Sequence, residues 1–202
     1  MKIICVGRNY VKHIIELNND LPQEPAIFLK PETSLLTGNS FKLPDFSNEI
    51  HHEIEIVYRI SKSIRNQHVI NAKEYINAIT IGIDFTARDI QDKLKEKRLS
   101  WELSKAFDHS ALIGEFVALE DSLNLNELLF SLEINNQIVQ KGNTANMIFP
   151  IEKILSFVSQ YMTIEVGDLI FTGTPEGVGR VKAGDIMKGF LYGEKLLEVE
   201  VV

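Results

Sequence analysis
Glu53 and Glu55 stand two apart in Ile50-His51-His52-Glu53-Ile54-Glu55-Ile56, alternating with apolar residues, so a strand over this stretch presents both carboxylates on one face. At a separation of about 6 Å and an effective dielectric of about 20, two such charges repel by on the order of 3 kcal/mol. A bound cation would reverse that cost. Carboxylate oxygens suit hard ions such as Mg²⁺, Mn²⁺ or Ca²⁺, whereas Zn²⁺ more often recruits His or Cys. An E-x-E pair alone is also the pattern of a solvated strand face. Asp84 adds weight to the metal reading, because it ends the β-branched run from Ile79 to Ile83, where its side chain can converge on the same point. Three carboxylates would leave coordination positions open for a substrate.

His13 and Glu16 are three apart on a short helical segment, so the carboxylate can hold one imidazole tautomer while the other ring nitrogen takes a proton. By itself such a pair is more often an incidental surface contact, and its value depends on what lies beside it. His51 shares the face of the two glutamates and His52 points to the core, a placement for packing or support rather than ligation. His68 and His109 have no partner at informative spacing, and Cys5, in an apolar strand with no nearby His, reads as a buried small hydrophobe. The run Thr172-Gly173-Thr174-Pro175-Glu176-Gly177-Val178-Gly179 matches neither a Walker loop nor a dinucleotide fingerprint and reads as a rigid, turn-rich loop.

The elements that must carry these residues follow from periodicity. Lys2 to Val6 is a short buried strand, followed by a turn at Gly7-Arg8-Asn9 and a helical segment with Val11, Ile14 and Ile15 on one face. Glu24 to Asp45 is broken by Pro25, Pro31, Gly38 and Pro44 and reads as surface loop. Glu49 to Ile60 predicts one strand, with Ile50, His52, Ile54, Ile56, Tyr58 and Ile60 facing the core. Asn71 predicts a helix cap with Glu74 three residues on, and a polar helix starts near Ala87. Leu132 to Lys141 predicts a hairpin turning at Asn135-Asn136, and Pro150 starts a helix carrying Ile151, Ile154, Leu155 and Val158. Strands return at Leu169 to Thr172 and Leu196 to Val202, so the chain is a β-dominated α+β protein.

At 202 residues, 45% of them hydrophobic and 24% charged, residues 1–202 are expected to form a single catalytic domain. A net charge of -7, with no basic block, argues against nucleic acid or an anionic membrane as partner. No apolar run approaches the roughly 18 to 20 residues needed to span a bilayer. One cysteine and no signal-like N-terminus predict a cytoplasmic protein.

Taken together, the pieces resemble the fumarylacetoacetate hydrolase superfamily, most closely its small single-domain acylpyruvase and oxaloacetate decarboxylase members. The resemblance rests on Gly7-Arg8-Asn9-Tyr10 with His13 and Glu16, Phe28-Leu29-Lys30-Pro31, His52-Glu53-Ile54-Glu55, Ala87-Arg88-Asp89-Ile90-Gln91, Lys105-Ala106-Phe107-Asp108 and Thr172-Gly173-Thr174-Pro175. It implies a mixed β-sandwich roll, a homodimer and a small 2-oxo acid substrate. It implies that Glu53, Glu55 and Asp84 hold Mg²⁺ or Mn²⁺, with Ca²⁺ as a substitute. By the same resemblance His13 with Glu16 activates water, Lys105 stabilises developing negative charge, and Arg8, Lys30, Arg88, Gln91 and Thr174 fall at substrate-binding positions. The expected reaction is hydrolytic carbon-carbon cleavage of acylpyruvates such as fumarylpyruvate or acetylpyruvate, expelling a pyruvate enolate stabilised by the metal. Oxaloacetate decarboxylation, or isomerisation of a 2-hydroxyhepta-2,4-diene-1,7-dioate-type acid, is the alternative on the same site. A non-catalytic, metal-stabilised binding domain is the alternative of a different class.

Overall fold
The computed structural model describes residues 1–17 and 20–202 and arranges them in three curled sheets. The largest has seven strands, ordered Ala26–Lys30, Ile3–Gly7, Leu169–Phe171, Ile54–Ile60, Ile76–Asp84 and Ala111–Ile113, with Val117–Ala118 also pairing on Ile76–Asp84. Ile3–Gly7 runs parallel to Leu169–Phe171, while its other neighbour, Ala26–Lys30, is antiparallel, which makes the sheet mixed. A second sheet orders Gln137–Asn143, Leu129–Ile134, Ile186–Leu191, Glu194–Val201 and Ser40–Phe41. It packs on the first so closely that a Cβ on Gly189 would come 2.4 Å from Ile81 Cδ1. The main core fills this sandwich. Ile54, Ile56, Tyr58, Ile60, Ile79, Ile81 and Ile83 from the large sheet meet Leu132, Met187, Leu197 and Val199 from the second. The opposite face of the large sheet carries a smaller apolar cluster built on Ile3, Cys5, Phe28, Val57 and Phe171.

Several local expectations are met. Asn135 and Asn136 both take positive φ, 52° and 64°, in the two-residue turn between Leu129–Ile134 and Gln137–Asn143. Pro150 is the N-cap of Ile151–Tyr161, whose Ile151, Ile154, Leu155 and Val158 are buried. Asn71 does cap, its side chain accepting from Lys73 N–H, but the helix it starts is one 3₁₀ turn, Ala72–Glu74.

Three expectations are corrected. Residues 24–45 are not a surface loop: Ala26–Lys30 pairs along the whole of Ile3–Gly7, and Phe28, Lys30 and Phe41 are buried. Proline at both ends bounds that strand instead of dissolving it. On the helix Val11–Glu16 only Ile14 of the predicted apolar face is buried, its companion there being His13, while Val11 and Ile15 are exposed. Glu49 to Ile60 is not one strand. Ile50–His52 belongs to a small third sheet with Thr86–Ala87 and Gly179–Arg180, Ile54–Ile60 belongs to the large sheet, and Glu53 is the crossover between them.

Candidate metal and catalytic site
The register of Ile54–Ile60 against Ile76–Asp84 creates the acidic cluster. Ile54 pairs Ile83 and Glu55 pairs Gly82, while Asp84 N–H donates to Glu53 O at 2.9 Å. Glu53 therefore lies opposite Asp84 on the same face, and Glu55 lies diagonal to it, paired with Gly82, where Phe171, Val57 and the Leu112 carbonyl leave no room for a Cβ. Oxygens of Glu53, Glu55 and Asp84 lie within 4.8 Å of one another, and all three residues are buried.

Cations interlock with them. Lys105, on the short helix Glu102–Lys105, donates from Nζ to Glu53 Oε2 at 2.7 Å, Asp84 Oδ2 at 2.6 Å and Thr86 Oγ1 at 2.6 Å. Arg88 opens the helix Arg88–Glu96 and donates to Glu53 Oε1 and, at 2.6 Å, to Gln91 Oε1. Lys30 Nζ stands 2.8 Å from Asp84 Oδ1 and donates to Lys105 O and to Ser110 O and Oγ. Glu53 and Asp84 thus face three cations, whereas Glu55 pairs with none of them. That changes the force of the repulsion argument: buried ammonium and guanidinium groups already offset the like charges.

Charge states follow from these contacts. Burial pushes the Glu53 carboxyl up, but Lys105 and Arg88 outweigh it and hold the group far below the usual carboxylate range. Burial and the neighbouring Asp84 push Glu55 well above that range, against the 2.7 Å hydrogen bond from Gly173 N–H. Burial works to lower Lys105, yet Asp84 and Glu53 raise it, so it stays an ammonium.

The donor set fits a hard divalent ion: three clustered carboxylates, no sulfur, and a buried Asp84 Oδ1 that accepts no hydrogen bond, because Lys30 is near it but not aligned for one. An ion seated there would be held by Glu53, Glu55 and Asp84.

His13 Nδ1 lies 3.3 Å from Glu16 Oε2, and Glu16 is itself held by Gly177 N–H at 3.1 Å, which leaves His13 Nε2 free to take a proton. Burial lowers the His13 pKa against the pull of Glu53 and Glu16, so the ring is neutral at pH 7.

Of the remaining candidates, Arg88 joins the cluster directly and Gln91 joins it through Arg88. Lys30 is fully committed to Asp84, Lys105 O and Ser110. Thr174 Oγ1 accepts from Gln140 Nε2 at 2.9 Å. Arg8, at positive φ, forms no ion pair with the three carboxylates and places its guanidinium 5.5 Å from the Trp101 ring centre.

Residue-type patterns did not single out Asn9, Ser110 or Gln140. Asn9 is buried and ties the first turn to the distant loop: Nδ2 donates to Phe149 O and Thr172 O at 3.1 and 2.7 Å, and Oδ1 accepts from Phe149 N–H. Gly173, at φ 98°, packs so near that a Cβ would sit 2.7 Å from Asn9 Cβ. The Gly-Arg-Asn-Tyr string marked Asn9 without a role, and nothing local marks Gln140.

Residues 2–199 match the family model described as fumarylacetoacetate (FAA) hydrolase C-terminal. The chain is 42% identical over 194 residues to oxaloacetate decarboxylase, mitochondrial, of Dictyostelium discoideum, covering 95% of this chain and 89% of that protein. It is 38% identical over 200 residues to oxaloacetate tautomerase FAHD1, mitochondrial, of Bos taurus, covering 98% and 90%. Among solved structures, fumarylpyruvate hydrolase from Pseudomonas aeruginosa in complex with Mn²⁺ and pyruvate superposes with a TM-score of 0.93 at 33% identity, covering 100% of this chain and 89% of that one.

Proposed function
The chain belongs to the fumarylacetoacetate hydrolase family, and from that membership we propose that it is a divalent-metal-dependent enzyme moving a proton on 2-oxo dicarboxylates of the oxaloacetate kind. The observation that carries this reading is the charge balance. With a divalent ion bound, Glu55 gives up its proton and the three carboxylates are matched by Lys30, Lys105 and Arg88, so the ion would add two uncompensated positive charges to a buried site. A dianionic substrate cancels them; a monoanionic one leaves a charge in low dielectric.

The ion, when bound, polarises the 2-oxo carbonyl of the substrate. The chain's own groups do the rest. His13 Nε2 removes a proton from the carbon beside the oxo group, or returns it, while Glu16 keeps the proton on Nδ1 and solvent supplies or accepts the proton of the enol hydroxyl. The Lys105 ammonium faces the negative charge that builds on oxygen as that proton leaves. Oxaloacetate decarboxylation would draw on the same charge stabilisation. Hydrolysis of acylpyruvates such as fumarylpyruvate is the second reading, favoured by the likeness to the Pseudomonas aeruginosa hydrolase and by a dyad that could equally activate water.

A substrate panel with Mn²⁺ or Mg²⁺ tests this reading. The enol-keto conversion of oxaloacetate is expected to show the highest kcat/KM. Cleavage of acetylpyruvate to acetate and pyruvate at a higher kcat/KM than any action on oxaloacetate would overturn it. Because burial lowers the His13 pKa, the base stays unprotonated below the ordinary imidazole value of about 6.5. The acid limb of the kcat/KM profile is therefore expected below that value, and a limb above it that persists in His13→Ala would remove His13 as the base.

The assembly that belongs to this reading is a homodimer. A hollow of about 780 Å³, lined by Leu29, Phe46, Leu103 and Phe107, lies beside the edge strand Ala26–Lys30 and offers an apolar face for a second copy to cover. Sedimentation as a monomer at micromolar concentration would withdraw that assignment. No helix among the described residues is long and apolar enough to cross a membrane. The reading keeps a reducing, cytoplasmic setting, in which the buried Cys5 remains a thiol.

A further inference from the structure
Gln140 lies in Gln137–Asn143, where its side chain is turned inward by a bulge. Leu132 pairs Gln140 and Glu133 pairs Ile138, so Val139 is the extra residue on the outer strand. The Gln140 carboxamide is buried and uses all four of its hydrogen-bonding positions. Oε1 accepts from His52 Nδ1 at 2.9 Å and from Ile54 N–H at 3.1 Å. Nε2 donates to Thr174 Oγ1 at 2.9 Å and to Pro175 O at 3.0 Å. The amide cannot be turned over, since Ile54 N–H only donates and the Pro175 carbonyl only accepts.

Each pair of partners brackets part of the site. His52 and Ile54 flank Glu53, at the point where the chain crosses from one sheet to another. Thr174 and Pro175 lie between Gly173, whose N–H holds Glu55, and Gly177, whose N–H holds Glu16. The bulge also abuts that loop, because a Cβ on Gly177 would come 2.4 Å from Val139 O.

We propose that Gln140 is a positioning residue that sets where the His13-Glu16 dyad stands relative to the Glu53-Glu55-Asp84 carboxylates, one half of its amide fixing the Glu53 crossover and the other fixing the loop that holds Glu16. The proposal rests on the catalytic reading above in what concerns turnover, and on geometry alone in what concerns metal affinity.

Two variants separate the halves. Gln140→Glu keeps an acceptor for His52 and Ile54 but sets an oxygen against Pro175 O. Its Mn²⁺ Kd, measured by electron paramagnetic resonance of free Mn²⁺ without substrate, is expected within threefold of wild type. Its kcat on oxaloacetate is expected to fall at least tenfold with KM within threefold. Gln140→Met removes both halves and is expected to weaken Mn²⁺ binding at least tenfold as well. Wild-type kcat and Kd, within twofold, in both folded variants would overturn the proposal. So would losses of kcat and Kd in the same proportion in both variants, the mark of a merely structural role. If Gln140→Met does not fold, Gln140→Glu decides alone: kcat lost at retained Kd supports the proposal and retained kcat overturns it. Should wild type turn over no member of the panel, the catalytic reading fails, and the Mn²⁺ comparison still decides whether Gln140 holds the carboxylates.

Discussion

Glu53→Gln is expected to weaken Mn²⁺ or Mg²⁺ binding by about a hundredfold or more and to lower turnover by on the order of a thousandfold. Two effects act in the same direction. The substitution replaces an anionic ligand by a neutral carbonyl, which is a poorer partner for a hard cation. It also unbalances the cluster, because Lys105 and Arg88 both rest on Glu53 and would remain with Lys30 as three cations against two carboxylates. An incoming divalent ion then meets net positive charge. Calorimetric titration of the metal and initial rates at saturating metal measure the two losses. Full turnover in the variant, with no metal added, would remove the metal centre from the catalytic account.

Lys105→Met separates stability, affinity and turnover by sign. Lys105 is buried with its ammonium on Glu53, Asp84 and Thr86, so its removal leaves uncompensated buried charge. Breaking such an arrangement costs about 3 to 5 kcal/mol. For a chain of this length that lowers the metal-free Tm by roughly 10 °C. The same excess of negative charge favours a divalent cation, so Mn²⁺ is expected to bind more tightly than to wild type and to restore much of the lost Tm. Turnover is expected to fall by about a hundredfold to a thousandfold, because the charge that faced the developing oxyanion is gone. Melting curves with and without Mn²⁺, set beside rates, read all three. Weaker metal binding in this variant would show that the ammonium supports the carboxylate geometry more than it competes with the ion.

The likeness to oxaloacetate decarboxylase and oxaloacetate tautomerase spans nearly the whole chain, whereas charge balance reaches the dicarboxylate preference from three cations set against the metal-holding carboxylates. Charge balance favours oxaloacetate and fumarylpyruvate, both dianions, over the monoanion acetylpyruvate, and the likeness turns the emphasis from acylpyruvate cleavage, the first expectation, toward proton transfer on oxaloacetate.

What could be read in the residues by themselves was whatever repeats at short range. Alternation around Glu53 and Glu55 placed both carboxylates on one face, three-residue spacing joined His13 to Glu16, and Asn135-Asn136 announced a hairpin, because each depends only on the period of one element or the dihedral preference of one turn. The ordered run of motifs was enough for the family and its sandwich roll. Strand register was not readable, so the meeting of Glu53 with Asp84 across two strands was an expectation until Ile54 was found opposite Ile83. Nor was the break at Glu53, since alternation continues straight through a crossover between sheets. Lys30 looked like part of a surface loop, and Gln140 like an ordinary strand residue, because the partners of each lie far away along the chain, 54 residues from Lys30 to Asp84 and 86 from Gln140 to Ile54. The sequence showed the acidic residues, but only the tertiary structure decided their electrostatics. Burial removed the solvent that would have screened Glu53, Glu55 and Asp84, and long-range packing supplied the three cations that replace it.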